Sequence, residues 1–205
     1  MVDLYRTIES PGTGTYKEKR SRFLGFAYPV SHEDTIREYL SGLQKEHHSA
    51  RHCCYAWRLK PEKTEYRTYD DGEPSGSAGK PIYGQIVSRD LTDLLVVVVR
   101  YFGGVKLGVG GLIQAYRTAA SEALDQTRII ECRVFDRLKL DFHYDQMNRV
   151  MQVVKEYKLD FEEQQFELQC SLILKSWRRQ TRQVVDRFST ISGCKTEVIN
   201  EKSQY

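Results

Sequence analysis

The sequence predicts an α+β protein of two domains: an N-terminal α/β domain over residues 1–132 and a ferredoxin-like C-terminal domain over residues 133–205. Three observations predict it. HCCYAWRL (His52–Leu59) alternates at a period of two, while neighbouring segments carry helical spacing. The run Leu94–Phe102 barely alternates, as a strand buried on both faces must read. Beyond Arg133 the periods follow the order β-α-β-β-α-β, the split βαβ arrangement.

Taken in order, Thr15–Lys19 and Arg22–Val30 read as extended. Ser31-His-Glu-Asp34 has the form of a capping serine with acids in the first helical turn, and Ile36, Tyr39, Leu40 and Leu43 then recur on one helix face. In His52–Leu59, Cys53, Tyr55, Trp57 and Leu59 share one side, and His52, Cys54, Ala56 and Arg58 share the other. Thr64–Tyr69 has the β-branched and aromatic content of a partner strand. YDDGEPSGSAGKPI reads as a loop. After the central strand come five glycines in nine residues, and then Leu112, Ala115, Tyr116, Ala119 and Ala123 mark a helix narrow enough for close packing. In the second domain Val134–His143, Leu159–Gln165, Leu168–Lys175 and Cys194–Ile199 read as strands. Met147, Val150, Met151 and Val154 form one helical stripe, and Trp177, Thr181, Val184, Val185 and Phe188 form another.

Composition narrows the class. With 40% hydrophobic and 29% charged residues the chain is an ordinary globular one. Its formal net charge is +3. Residues 1–132 hold 18 Lys/Arg against 17 Asp/Glu, and residues 133–205 hold 13 against 11, so any basic surface is local. The N-terminus shows no charged-then-apolar leader. No apolar run nears the ~18 residues of a membrane span. Five cysteines, two of them adjacent (Cys53 and Cys54), do not suit a disulfide framework. A cytoplasmic protein with reduced thiols and no membrane association is expected.

Four places invite chemistry. In FGGVKLGVGGLIQAY, glycines between strand and helix bring backbone N–H groups together where a helix N-terminus favours anions. Gly103, Gly104, Gly108, Gly110 and Gly111, with Lys106 and Arg117, are therefore phosphate- or RNA-binding candidates. The stretch is neither a Walker A loop, since Val109 follows Gly108, nor G-x-G-x-x-G, since Ile113 takes the third glycine's place. The plainer reading is that the glycines only shape a turn. Asp70, Asp71 and Glu73 are hard oxygen groups of the kind Mg²⁺ takes, but their spacing is not that of an EF-hand, and a solvated turn is preferred. Ser75, Ser77 and Lys80 in the same loop present hydroxyls and an ammonium to a phosphate or a protein. HHSARHCCYAW has metal-ligand residue types without a second cluster. There His52 is a groove-lining candidate, while Cys53 falls on a core face. Last, Arg178, Arg179, Arg182 and Arg187 flank the final helix as a face for phosphates or a merely solvated surface. No metal and no cofactor is expected.

ARHCCYAW, DDGEPSGSAGKP and RYFGGVKLGVGGLIQAY, in this order and spacing, resemble the YigZ/IMPACT family in its bacterial two-domain type. The resemblance covers residues 17–126, and residues 135–200 are similar to the family's smaller C-terminal domain. It implies an N-terminal domain folded like the second domain of a small-subunit ribosomal protein, a fold shared by GHMP kinases. It also implies a C-terminal domain like the last domain of elongation factor G. Eukaryotic relatives are understood to regulate translation by competing for the ribosome-associated activator of an amino-acid-sensing kinase. This chain has His52-Cys53 where bacterial members often carry paired histidines. The expectation is a non-catalytic protein that meets RNA, the ribosome or a translation-associated protein partner. A nucleotide-binding enzyme using the glycine turn as GHMP kinases do, and a pure protein-interaction module, are the rivals.

Overall fold

The computed structural model describes residues 2–199. By internal packing the chain divides into two units, Leu4–Cys132 and a second made of the residues up to Asp3 together with those from Arg133 onward.

In the first unit, strands β2 (Gly12–Glu18), β3 (Ser21–Pro29), β4 (His52–Leu59), β5 (Glu65–Tyr69) and β6 (Leu94–Tyr101) form a five-stranded antiparallel sheet. Its order is β2-β3-β6-β4-β5, with β6 in the middle. Period two decides what each face buries. Leu95, Val97 and Val99 join Cys53, Trp57 and Leu59 against helix α1 (Glu33–Glu46), through Ile36 and Leu43. Leu94, Val96 and Val98 join Cys54 and Ala56 beneath helices α2 (Gly79–Ser88) and α3 (Gly108–Asp125). Every residue from Leu94 to Val99 is fully buried, which is why the run does not alternate in hydropathy. Each such side chain contributes about 1.5–3 kcal/mol of apolar burial. Helix α3 lies close on β2 and β3 because those strands offer glycine there: a Cβ at Gly25 would stand 2.2 Å from the Ala119 carbonyl oxygen.

Several sequence expectations need correction. KPI is not loop but the first turn of α2, and the cap of that helix comes from a residue remote in sequence. Asp70 accepts the N–H groups of Ala78 and Gly79, which no local residue would cap. Pro81 is tolerated as the third helical residue, where its missing N–H would have no intrahelical partner anyway. His32, not Ser31, stands at the N-cap of α1 and makes no side-chain cap bond, although Glu33 and Asp34 do occupy the first turn. Three of the five glycines (Gly108, Gly110 and Gly111) belong to α3 itself. Strands β1 (Leu4–Ile8) and β7 (Ile129–Arg133), read from no sequence signal, pair as a two-stranded sheet.

The second unit holds β8 (Phe135–His143), α4 (Met147–Glu156), β9 (Asp160–Gln165), β10 (Gln169–Trp177), α5 (Thr181–Ser189) and β11 (Lys195–Val198). Its four antiparallel strands run β11-β8-β10-β9, the split βαβ, ferredoxin-like order. Leu138, Leu140, Phe142, Leu172 and Leu174 face Val150, Val153, Val184 and Phe188 of the two helices. Trp177 is not on α5. It ends β10 opposite Phe135, with its indole N–H donating to the Asp3 carbonyl at 3.3 Å. Met151 points outward, and Val153 fills the core in its place. Among the described residues no helix is long and apolar enough to cross a membrane.

Candidate functional site

The acidic loop after β5 is built from the inside. The Asp70 carboxylate accepts three backbone N–H groups, from Gly76 at 2.8 Å, Ala78 at 3.0 Å and Gly79 at 2.8 Å. Burial alone would raise its pKa, but those three donors and the nearby Lys80 outweigh it and hold the carboxyl below its ordinary range. Asp71, with φ of +44°, turns its carboxylate onto the Cys53 N–H at 2.6 Å. Its carbonyl faces His52 Nδ1 at 2.7 Å. A carbonyl only accepts, so Nδ1 carries the proton and Nε2 is the ring atom left to face Glu73.

Glu73 is thereby carried inward and is only 8% exposed. Its Oε1 accepts from Arg100 Nη1 at 2.5 Å and from the Tyr116 hydroxyl at 2.8 Å, and His52 Nε2 lies 3.7 Å away. Arg100 is the one charge in the buried strand β6, and its guanidinium lies against the rings of Phe23 and Phe102. Breaking such a buried pair by deleting one partner typically costs about 3–5 kcal/mol. Burial pushes the Tyr116 phenol far above its ordinary pKa, so it stays a donor to Glu73. Burial also raises the thiols: Cys53 to about 11, and Cys54 beyond that. They are packing groups rather than nucleophiles.

The glycine corner closes the site from the other side. Gly103 must be glycine because an added Cβ would sit 2.1 Å from the Arg20 carbonyl carbon. Gly104 and Gly108 have φ of +86° and +73° and so turn the chain into α3. Between this corner and the acidic loop lies a cleft of about 480 Å³. Arg51, His52, Glu73, Arg100, Phe102 and Lys106 line it, together with Pro74 and the start of α3 at Leu107, Gly108, Val109 and Leu112. The first turn of α3 has no acidic residue and no side-chain cap, so the positive end of an 18-residue helix is uncovered there. A larger depression, about 600 Å³ between β2 and α3, is lined by Glu122, Asp125 and no basic group.

The structure thus brings together His52, Glu73, Lys106 and Gly108 from the sequence candidates, and adds Arg51, Arg100, Phe102 and Tyr116. Arg100 was legible as a lone charge in an apolar run, and Tyr116 as a large residue in a stripe of alanines. Asp70, Asp71, Ser75 and Ser77 do not line the cleft. Asp70, Asp71 and Ser77 shape the loop, with the Ser77 hydroxyl donating to the Pro74 carbonyl at 2.6 Å, and Ser75 is exposed. All three acids accept hydrogen bonds from within the protein, and among the described residues no group of three His, Cys, Asp or Glu side chains is placed to hold a metal ion. Lys80 and Arg117 are exposed on α2 and α3 and stand apart from the cleft lining. In the second unit the basic face is partly spent. Arg178 bonds Asp136 at 2.9 Å, Arg179 lies over the Trp177 ring and Arg187 faces Glu156 at 3.6 Å, whereas Arg182 is exposed.

Residues 19–124 match the Impact N-terminal domain family. The chain is 33% identical over 156 residues to the IMPACT family member YvyE of Bacillus subtilis (strain 168), covering 76% of this chain and 72% of that protein. It is 35% identical over 161 residues to an IMPACT family member of Haemophilus influenzae, covering 76% and 77%. A crystal structure of a hypothetical protein aligns with 98% of this chain and 100% of its own at a TM-score of 0.76 and 24% identity, a likeness of fold alone.

Proposed function

The chain belongs to the IMPACT family, and from that premise we propose that it is a non-catalytic, RNA- or ribosome-associated protein that modulates translation. The cleft at the glycine corner is its phosphate-contacting surface. One observation carries this reading: Arg51, Arg100 and Lys106 share a cleft with the uncapped N-terminus of α3. Cations and an uncovered helix N-terminus attract the same ligand, an anion. In a chain whose charge is otherwise balanced, that concentration of positive potential is local. Phosphate contacts release counterions, so affinity falls steeply as salt rises.

Co-sedimentation with ribosomes across a salt series, with and without nuclease, tests the reading. Binding that is lost by 200 mM salt, sensitive to nuclease and weakened by Lys106→Glu is the expected result. Absence of binding even at low salt would refute it. The exposed Phe102, Val105 and Val109 beside Lys106 favour a second reading, a translation-associated protein partner. Retention of one protein after nuclease treatment would select it.

A further inference from the structure

We propose that the cleft is selective for a terminal phosphate, a phosphomonoester such as the end of an RNA strand or a mononucleotide, over the internal phosphodiesters of a chain. The inference deepens the reading of the cleft as the phosphate-contacting surface and rests on it.

Depth is the first argument. Arg100 is only 5% exposed, yet it lines the cleft. A phosphodiester continues in both directions and must carry its flanking sugars along to bring its oxygens to a recessed residue in a cleft of about 480 Å³. A chain end carries only one. Unused donors are the second argument. Glu73 accepts one N–H of Arg100 at 2.5 Å, while the buried Arg100 Nε has no acceptor. An unpaired buried donor is unfavourable and needs a functional explanation; Nε itself is enclosed, so a ligand reaches Arg100 through the part of its side chain that lines the cleft. Arginine presents a rigid fork suited to two phosphate oxygens.

Charge is the third argument. Arg51, Arg100 and Lys106 place three positive charges on the lining against the one negative charge of Glu73. A terminal phosphate carries about −1.5 to −2 near neutral pH with three free oxygens. A diester carries a single negative charge with two. The N-terminus of α3, lacking acid and cap, supplies further donors at the same mouth. Glu73 then has a definite role: it holds Arg100 in place and offsets one of its neighbours' charges.

The test is fluorescence anisotropy of the full chain with a short single-stranded RNA labelled at its 3′ end. The strand carries either a 5′-phosphate or a 5′-hydroxyl, and a 5′-labelled strand with a 3′-phosphate is the third ligand. At least one end-phosphorylated strand should bind about tenfold tighter than the hydroxyl strand. A nucleoside monophosphate, but not the nucleoside, should displace it. If the monophosphate alone binds and neither phosphorylated strand gains, the ligand is the free nucleotide; the terminal-phosphate proposal then stands while the RNA reading falls. Lys106→Ala, an exposed change that leaves the core intact, should erase most of the preference. Glu73→Gln keeps an acceptor for Arg100 and Tyr116 but removes a negative charge, so it should tighten the phosphorylated ligands more than the hydroxyl strand. Equal binding of phosphorylated and hydroxyl strands would overturn this proposal while leaving the RNA reading standing. Binding of no RNA and no monophosphate would overturn both. A Lys106→Ala variant with its preference intact would remove the site.

Discussion

Replacing Asp70 tests how the cleft is held, because one carboxylate accepts three bonds that do two jobs. It caps α2 through Ala78 and Gly79, and it pins Gly76 in the loop that carries Glu73 inward. Loss of a helix N-cap costs about 0.5–2 kcal/mol, and a hydrogen bond to a charged group contributes about 1.5–3 kcal/mol. Water will recover part of this at a half-buried site, so Asp70→Ala should cost about 3 kcal/mol. For a chain of this size that is about 6–12 °C in Tm. Asp70→Asn discriminates the mechanism. Its single carbonyl oxygen can keep the two bonds made by Oδ1 and must give up the Gly76 bond made by Oδ2. It should therefore lose about half as much. The pH dependence has a definite sign. The folded carboxyl is held below its ordinary range, so its contribution is complete above about pH 3.9 and disappears as the pH falls through the lowered folded value. The stability gap between wild type and Asp70→Ala, read from denaturant unfolding, should therefore be constant at neutral pH and shrink under strong acid. Equal losses for the alanine and asparagine variants, or a gap that widens in acid, would refute the reasoning.

Other outcomes follow from the packing. Gly103→Ala must push apart two backbones, since its Cβ would lie 2.1 Å from the Arg20 carbonyl carbon, and should cost 3 kcal/mol or more, above the usual ~1–3 kcal/mol of overpacking; a Tm within a degree of wild type would contradict it. Gly84→Ala, on exposed helix surface where a Cβ meets nothing within 4 Å, should stabilise by about 0.5–1 kcal/mol, as a denaturation midpoint will show. Cys53 and Cys54 should resist alkylation of the native chain at pH 8, since both are buried with raised pKa values; peptide mapping after a short iodoacetamide pulse that finds them modified as fast as Cys132 would count against the site geometry.

Legibility in the sequence followed how local each cause is. Strand β4 was readable residue for residue because its alternation is a property of eight consecutive side chains. The βαββαβ order of the second unit was readable for the same reason. Helix α2 was not, because its N-terminus is satisfied by Asp70, nine residues before Gly79. Trp177 matched the stripe of α5 by spacing, but nine backbone pairings with β8 hold it in a strand. Glu73 and Asp70 read alike as loop acids, and only the fold separates a buried partner of Arg100 from a backbone cap.

By itself the sequence determined the class of the protein, its two folding patterns and the family motifs, since those rest on composition, period and order along the chain. Tertiary structure alone decided which charges meet. Glu73, Arg100 and Tyr116 come from a loop, a strand and a helix, and nothing in the spacing of 73, 100 and 116 encodes their contact. The glycine corner owes its chemistry to that contact. Its turn is dictated locally by positive φ and close backbone approach, whereas the buried arginine at the floor of its cleft is placed there by a sheet assembled from distant segments.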